Sequence, residues 1–228
     1  MLFRWNDDTT WKRFVLLAQE RQPNGIRDAL DEYTHIAVYH GCRPDDPNTY
    51  FQQGLKLADA DELNRRAEQF FLTPEFPDVT KAKLQQAMNE EARSDDRKVY
   101  VVLDDERFME FSAHYLIYGS EYLLRLANRL NGRGMVRPDV LKRYGIPTLF
   151  EIHVPLHELP PEQLRQLAKN LLLICGDRDV DQRPLLDLGF TFQKPLPGSW
   201  IKKHTHPEEI KDRTCGFPSI YRYKDGEA

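Results

Sequence analysis

Apolar residues recur at helical spacing over 10–20, where Trp11, Phe14, Val15 and Ala18 fall on one side of a helix. The run Arg21-Gln22-Pro23-Asn24-Gly25 breaks that pattern, and Ile36 to Tyr39 forms a short apolar strand. Asp59, with Glu62 three residues on, is a capping signature. It opens a helix whose buried side is Leu63, Ala67, Phe70 and Phe71, and Thr73-Pro74 ends it. A further helix is expected over 79–92, followed by a solvated turn at Ser94-Asp95-Asp96-Arg97-Lys98. Val99 to Leu103 is the clearest strand, β-branched and bounded by charge.

Gly119 and Ser120 precede a helix running to Leu130, with Leu123, Leu124, Ala127 and Leu130 on one face. The glycines of Asn131-Gly132-Arg133-Gly134 close it. A second good strand covers 148–154 and is stopped by Pro155, and Pro160-Pro161 starts a helix to about Leu173. Short strands are expected at 190–192, 200–202 and 220–223, between prolines. Strands interleave with helices without a regular βαβ rhythm, so the expected class is α+β. The expectation is a single domain over 1–228, with a small mixed or antiparallel sheet flanked by helices and no stretch of linker character.

Composition narrows the partners. Hydrophobic residues make up 40% and charged residues 30% of 228, the balance of a soluble globular chain. A net charge of -4 supplies no overall field for a polyphosphate backbone. Lys202, Lys203, Lys211 and Arg213 gather with Trp200 and Tyr221, a mixture that can hold single-stranded nucleic acid. Glu208, Glu209 and Asp212 dilute the patch, which reads as a solvated face. Cys42, Cys175 and Cys215 are odd in number and far apart, which points to a reducing compartment. The longest apolar run, Asn170 to Cys175, is too short to span a bilayer. The amino terminus lacks a basic-then-apolar order. A cytoplasmic protein with no membrane partner is expected.

No metal is expected. His204-Thr205-His206-Pro207 lacks a third ligand and reads as a solvated turn, and Pro155 keeps His153 and His157 from sharing a helix. The acid-rich segment Asp177-Arg178-Asp179-Val180-Asp181 lacks the glycine and closing glutamate of a calcium loop and reads as a surface turn. The phosphate-loop, nucleophile-elbow and dinucleotide glycine patterns are all absent from the sequence.

Two segments carry candidate chemistry. The first is Val38-Tyr39-His40-Gly41, an apolar strand ending in His-Gly, followed by Gln53-Gly54-Leu55. It sets an imidazole at a strand end, and glycine lets a ligand approach the backbone closely. The second is Ser112 to Tyr122, which supplies Tyr115, Tyr118, Tyr122, Ser120 and Glu121 for stacking and polar contacts. The three tyrosines also sit at helical spacing, as a core stripe would. Glu151 interrupts an otherwise apolar strand, where an acid is costly if its face is buried.

The His-Gly and Gly-Leu pair resembles the ADP-ribosyltransferase superfamily, in the broad sense that includes poly-ADP-ribose polymerases and RNA 2'-phosphotransferases. The resemblance covers about a quarter of the chain. It implies an ADP-ribosyltransferase-like fold and NAD as substrate, with His40 and Gly41 holding the ribose and the nicotinamide amide. Tyr115 or Tyr100 would cover the nicotinamide ring, with Tyr118 beside them, and Glu151 or Glu121 would supply the catalytic carboxylate. The acceptor of ADP-ribose, a protein, a nucleic acid or water, stays open. Cleaving the nicotinamide–ribose bond develops positive charge on the sugar, so it needs a fixed carboxylate and a rigid grip. That reading requires His40, a tyrosine and Glu151 to converge on one concave pocket. The rivals are a non-catalytic nucleotide- or protein-binding module on the same fold, and a structural protein with its tyrosines in the core.

Overall fold

Side chains of a β-strand alternate between its two faces, and here that alternation builds two hydrophobic cores on opposite sides of one sheet. The computed structural model describes residues 1–20, 25–91, 97–175, 188–214 and 219–223. The chain opens with β1 (Leu2–Phe3), α1 (Asp8–Glu20), α2 (Gly25–Leu30), β2 (His35–Cys42) and α3 (Thr49–Gln53). Then come α4 (Ala60–Phe71), α5 (Lys81–Glu90), β3 (Val99–Val102), α6 (Asp105–Phe111), α7 (His114–Tyr118) and α8 (Glu121–Gly132). It continues through β4 (Thr148–Pro155), α9 (Pro161–Cys175), β5 (Gly189–Phe192), β6 (Ile201–Thr205), β7 (Glu209–Asp212) and β8 (Ser219–Arg222).

The main sheet runs β5-β3-β2-β4-β6 and is antiparallel throughout, with β1 added in parallel at the start of β2. Strands β7 and β8 form a separate hairpin. One side of the sheet presents Ile36, Val38, Val101, Phe150 and Ile152 to Trp11, Phe14, Ile26 and Leu167 of α1, α2 and α9. The other presents Tyr39 and Leu149 to a second core that includes Phe71, Leu84, Phe108, Leu116 and Leu126 from α4 to α8. The architecture is α+β, a mostly antiparallel sheet covered by helices on both faces.

Local chemistry starts the helices, at α4 as the sequence suggests. The Asp59 carboxylate accepts from the backbone N–H of Asp61 and Glu62 at the start of α4, and Thr80, Asp104 and Ser120 cap α5, α6 and α8. Four expectations are corrected. Strand β2 extends from His35 to Cys42, because its pairing with β4 runs the whole way. Trp200 closes a 3-10 turn and the strand begins at Ile201. His204 and Thr205 belong to β6, paired with Phe150 and Leu149, so they are strand and not turn. The tyrosines do not share one helix: Gly119, at φ +80°, ends α7 after Tyr118, and Tyr122 lies on α8. The turn assigned to 94–98 and the acidic segment 177–181 lie outside the described residues in whole or part. Among the described residues no helix is long and apolar enough to cross a membrane.

Candidate functional site

The pairing register decides which predicted residues can meet. Residues directly opposite in an antiparallel pair share a face. Tyr39 is opposite Glu151, and His40 is opposite Phe150. His40 and Glu151 therefore project from opposite faces of the sheet, and the expected convergence of the two is not what the structure builds.

His40 is partly buried on the α1 and α9 side. Its Nδ1 lies 2.8 Å from the Tyr100 carbonyl oxygen, which can only accept, so Nδ1 carries the proton and donates. Burial lowers the pKa of the imidazole, partly offset by that bond. In the neutral ring the remaining nitrogen, Nε2, is an acceptor. The open face of Gly41 is taken by the protein itself. A Cβ there would sit 2.2 Å from the Phe108 ring and 3.1 Å from Leu116. Gly54 has φ +73°, and a Cβ on it would meet the Leu196 carbonyl oxygen at 2.0 Å. Leu55 bridges to Leu196 in the same place. Both glycines serve close internal packing.

The helical face brings other predicted residues together. Tyr115 donates to Glu121 at 3.0 Å, and its ring lies against His114, with centroids 4.3 Å apart. Tyr100 is 53% exposed, and its phenol lies within electrostatic reach of Tyr115. Burial, together with the Glu121 charge, pushes the Tyr115 phenol upward. Burial opposes ionisation of Glu121, but its contacts with Arg125 and Tyr115 hold its pKa below the usual value. Tyr118 is apart from them. It is 2% exposed, and its hydroxyl donates to the buried Asp212 at 2.6 Å.

Glu151 lines a cavity of about 210 Å³ with Arg4, Asn6, Tyr39, Asp105, Lys203 and Thr205 among its walls. Both terminal guanidinium nitrogens of Arg4 donate to it, each at 2.7 Å. His153 Nε2 donates to Oε1 at 2.7 Å, and Lys203 approaches Oε2 at 3.2 Å. A carboxylate offers about four acceptor positions, and all are occupied. Burial alone would raise the pKa of Glu151, but the Arg4 and His153 bonds and the Arg4 and Lys203 contacts bring it down to about 2. On the adjoining wall the Tyr39 hydroxyl donates to Asn6 Oδ1 at 3.0 Å, and Asn6 Nδ2 donates to Asp105. Burial raises the Tyr39 phenol to about 12, with the Asp105 charge adding to it. Burial, helped by Asp104 and Glu106, also raises the Asp105 carboxyl against the Asn6 bond.

Sequence reasoning selected Glu151 and missed Arg4, Asn6 and Asp105 on this wall. Arg4 and Asn6 sit in the connection after β1, where nothing in the pattern distinguishes them. Asp105 opens α6, with Leu103 and Asp104 between it and the end of β3. Lys203 was assigned to a solvated face, and its side chain is 61% exposed while its amine meets Glu151. A larger groove of about 600 Å³ lies beside Gly134 and the turn at 138–143, where Arg143 pairs with Glu75. None of the selected residues lines it. Among the described residues no group of three or more His, Cys, Asp or Glu is placed to hold a metal ion.

No protein-family model matches this sequence, and neither the curated proteins nor the solved structures include a match to it.

Proposed function

We propose that the protein is a binding module that takes the sugar end of a nucleotide in the Glu151 cavity and does not cleave it there. The observation that carries this reading is the state of Glu151: it lines a small polar cavity, yet every acceptor position is spent on Arg4, His153 and Lys203. Such a carboxylate organises the walls around it. It is poorly placed to stabilise a developing sugar cation, because two permanent cations flank it. A cavity of about 210 Å³ is below the usual range for drug-sized ligands, so most of a dinucleotide would lie outside. The helix-covered antiparallel sheet is compatible with an ADP-ribosyltransferase-like architecture that has lost its catalytic constellation. A reducing, cytoplasmic setting goes with this reading, on the odd number and wide spacing of the cysteines.

A second reading is favoured by one observation. Tyr100, Tyr115 and Glu121 share a face, with the Tyr115 hydroxyl on the Glu121 carboxylate. On that reading the protein is an NAD-dependent ADP-ribosyltransferase with Glu121 as its key acid and a macromolecular acceptor. Calorimetry with ADP-ribose and NAD, run beside a nicotinamide-release assay, separates the two. The binding module should bind ADP-ribose, lose affinity in Tyr39→Ala, and release no nicotinamide. Nicotinamide release abolished by Glu121→Gln would establish the second reading, and release abolished by Glu151→Gln at unchanged fold would overturn the first.

A further inference from the structure

We infer, resting on the binding reading above, that the cavity selects a neutral, hydroxyl-bearing sugar ring and that Asp105 is the side chain that selects it, accepting a hydrogen bond from a ligand hydroxyl. The groups that remain available after the internal bonds are counted lead to this assignment. Arg4 spends both terminal nitrogens on Glu151, and Glu151 spends both oxygens on Arg4, His153 and Lys203. What is left on the walls is a mixture of donors and acceptors. Asp105 receives Asn6 on Oδ1 and keeps acceptor capacity beyond it. The Tyr39 hydroxyl is committed, donating to Asn6 and in hydrogen-bonding contact with Arg4. Lys203 retains further N–H groups, and the Thr205 hydroxyl can both donate and accept.

Charge excludes the alternatives. An anion such as phosphate would find Lys203 with N–H groups to spare, but it would face Glu151 and Asp105 across a small space, with both terminal nitrogens of Arg4 already committed. A cation would face Arg4 and Lys203. A hydroxyl is neutral and uses both kinds of wall group. Asn6 makes Asp105 specific: Tyr39 fixes the Asn6 carbonyl, which turns the Asn6 amide toward Asp105 and so holds the carboxylate in one orientation.

The same geometry gives the site a pH dependence. Asp105 is packed among Asn6, Tyr39, Asp104 and Glu106, with Arg4, Glu151 and Lys203 across the cavity and His153 behind Glu151. Burial first, then the neighbouring acids, raise its pKa above the ordinary aspartate value, whereas Glu151 stays ionised down to about 2. Acidification therefore neutralises Asp105 while the Arg4–Glu151 pair persists. Affinity for a hydroxyl that donates to Asp105 falls on that acid limb.

The test is calorimetric titration of the full chain with ADP-ribose, in competition with methyl ribofuranoside or inorganic phosphate, for wild type and Asp105→Asn. Methyl ribofuranoside should displace ADP-ribose and phosphate should not. Asp105→Asn should weaken binding about tenfold or more, the scale of one hydrogen bond to a charged group, and should flatten the decline seen as pH falls from neutrality toward about 4, the ordinary aspartate value. Phosphate that competes, or an Asp105→Asn protein that binds like wild type, would overturn the inference and leave the binding reading standing. Failure of ADP-ribose to bind wild type at any pH would remove both. If Asp105→Asn does not fold, as judged by circular dichroism, the wild-type profile decides: affinity that does not change from neutrality down to about pH 4, the ordinary aspartate value, overturns the role of Asp105.

Discussion

Tyr39 and Glu151 stand opposite each other on β2 and β4 and share a face of the sheet, while His40, one residue along, faces the other side. That pairing gives Glu151 its surroundings. It sits under the connection that carries Arg4, and Lys203 of the neighbouring β6 closes over it. The ion pair between Arg4 and Glu151 joins the start of the chain to the middle of the sheet.

Arg4→Met should therefore destabilise the protein even though Arg4 is partly exposed. It leaves a nearly buried carboxylate held only by His153 and the exposed Lys203. A loss of about 2 kcal/mol is expected, below the range for a fully buried pair because solvent screens Arg4. The double variant Arg4→Met, Glu151→Met should recover part of that loss, since no lone charge remains. Urea midpoints measure both. A single variant as stable as wild type would show that the pair contributes nothing net.

The acid limb of stability should carry the signature of Glu151. Its pKa in the folded state is about 2, below the unfolded glutamate value near 4.3. Between those values the unfolded chain binds more protons, so stability rises with pH across that window. The contribution is complete above the unfolded value and is lost as pH falls toward 2. Asp105 has the opposite sign: its raised pKa favours the folded state at low pH and that advantage is lost as pH rises through it. Subtracting the profile of Glu151→Gln from that of wild type isolates the first effect. A difference that does not shrink with acidification would contradict it.

Gly41 distinguishes packing from ligand approach. Its absent Cβ makes room for the Phe108 ring, so Gly41→Ala should cost about 1–3 kcal/mol through overpacking. Gly41→Ala combined with Phe108→Leu should regain much of it. If Gly41→Ala were stable but lost nucleotide binding, the glycine would belong to a ligand site after all.

Arg43 should be among the least replaceable residues. It is 4% exposed and donates to the backbone oxygens of Leu116, Ile117, Lys142, Tyr144 and Gly145 and to the Tyr221 hydroxyl. No carboxylate is among these partners. Arg43→Lys retains the charge but loses the planar fork, leaving buried carbonyls unpaired. A loss of about 3 kcal/mol or more is expected, with faster amide exchange in β8, where Tyr221 is tethered. Unchanged exchange there would show that the hairpin is held by other contacts.

Much of the secondary structure was legible because its causes are local. Helical spacing marked α1, α4 and α8, the Asp59 capping signature marked the start of α4, and a β-branched run marked β3. The candidate site was legible only one residue at a time. His40, Tyr115, Glu121 and Glu151 each stood out for a reason that a short stretch of chain can express. Whether two of them meet depends on the register of β2 against β4, and a shift of one residue would exchange the faces of every side chain. Register is set by packing both faces of the sheet at once, and no local pattern states it. The same holds for the cavity. Arg4, Asn6, Tyr39, Asp105, Glu151 and Lys203 come from separate elements, and only the antiparallel order of the sheet and the placement of α6 beside it bring them to one wall. The sequence by itself determined the elements and their apolar sides; the tertiary structure decided which polar residues share a space, because that is a matter of long-range pairing and not of spacing along the chain.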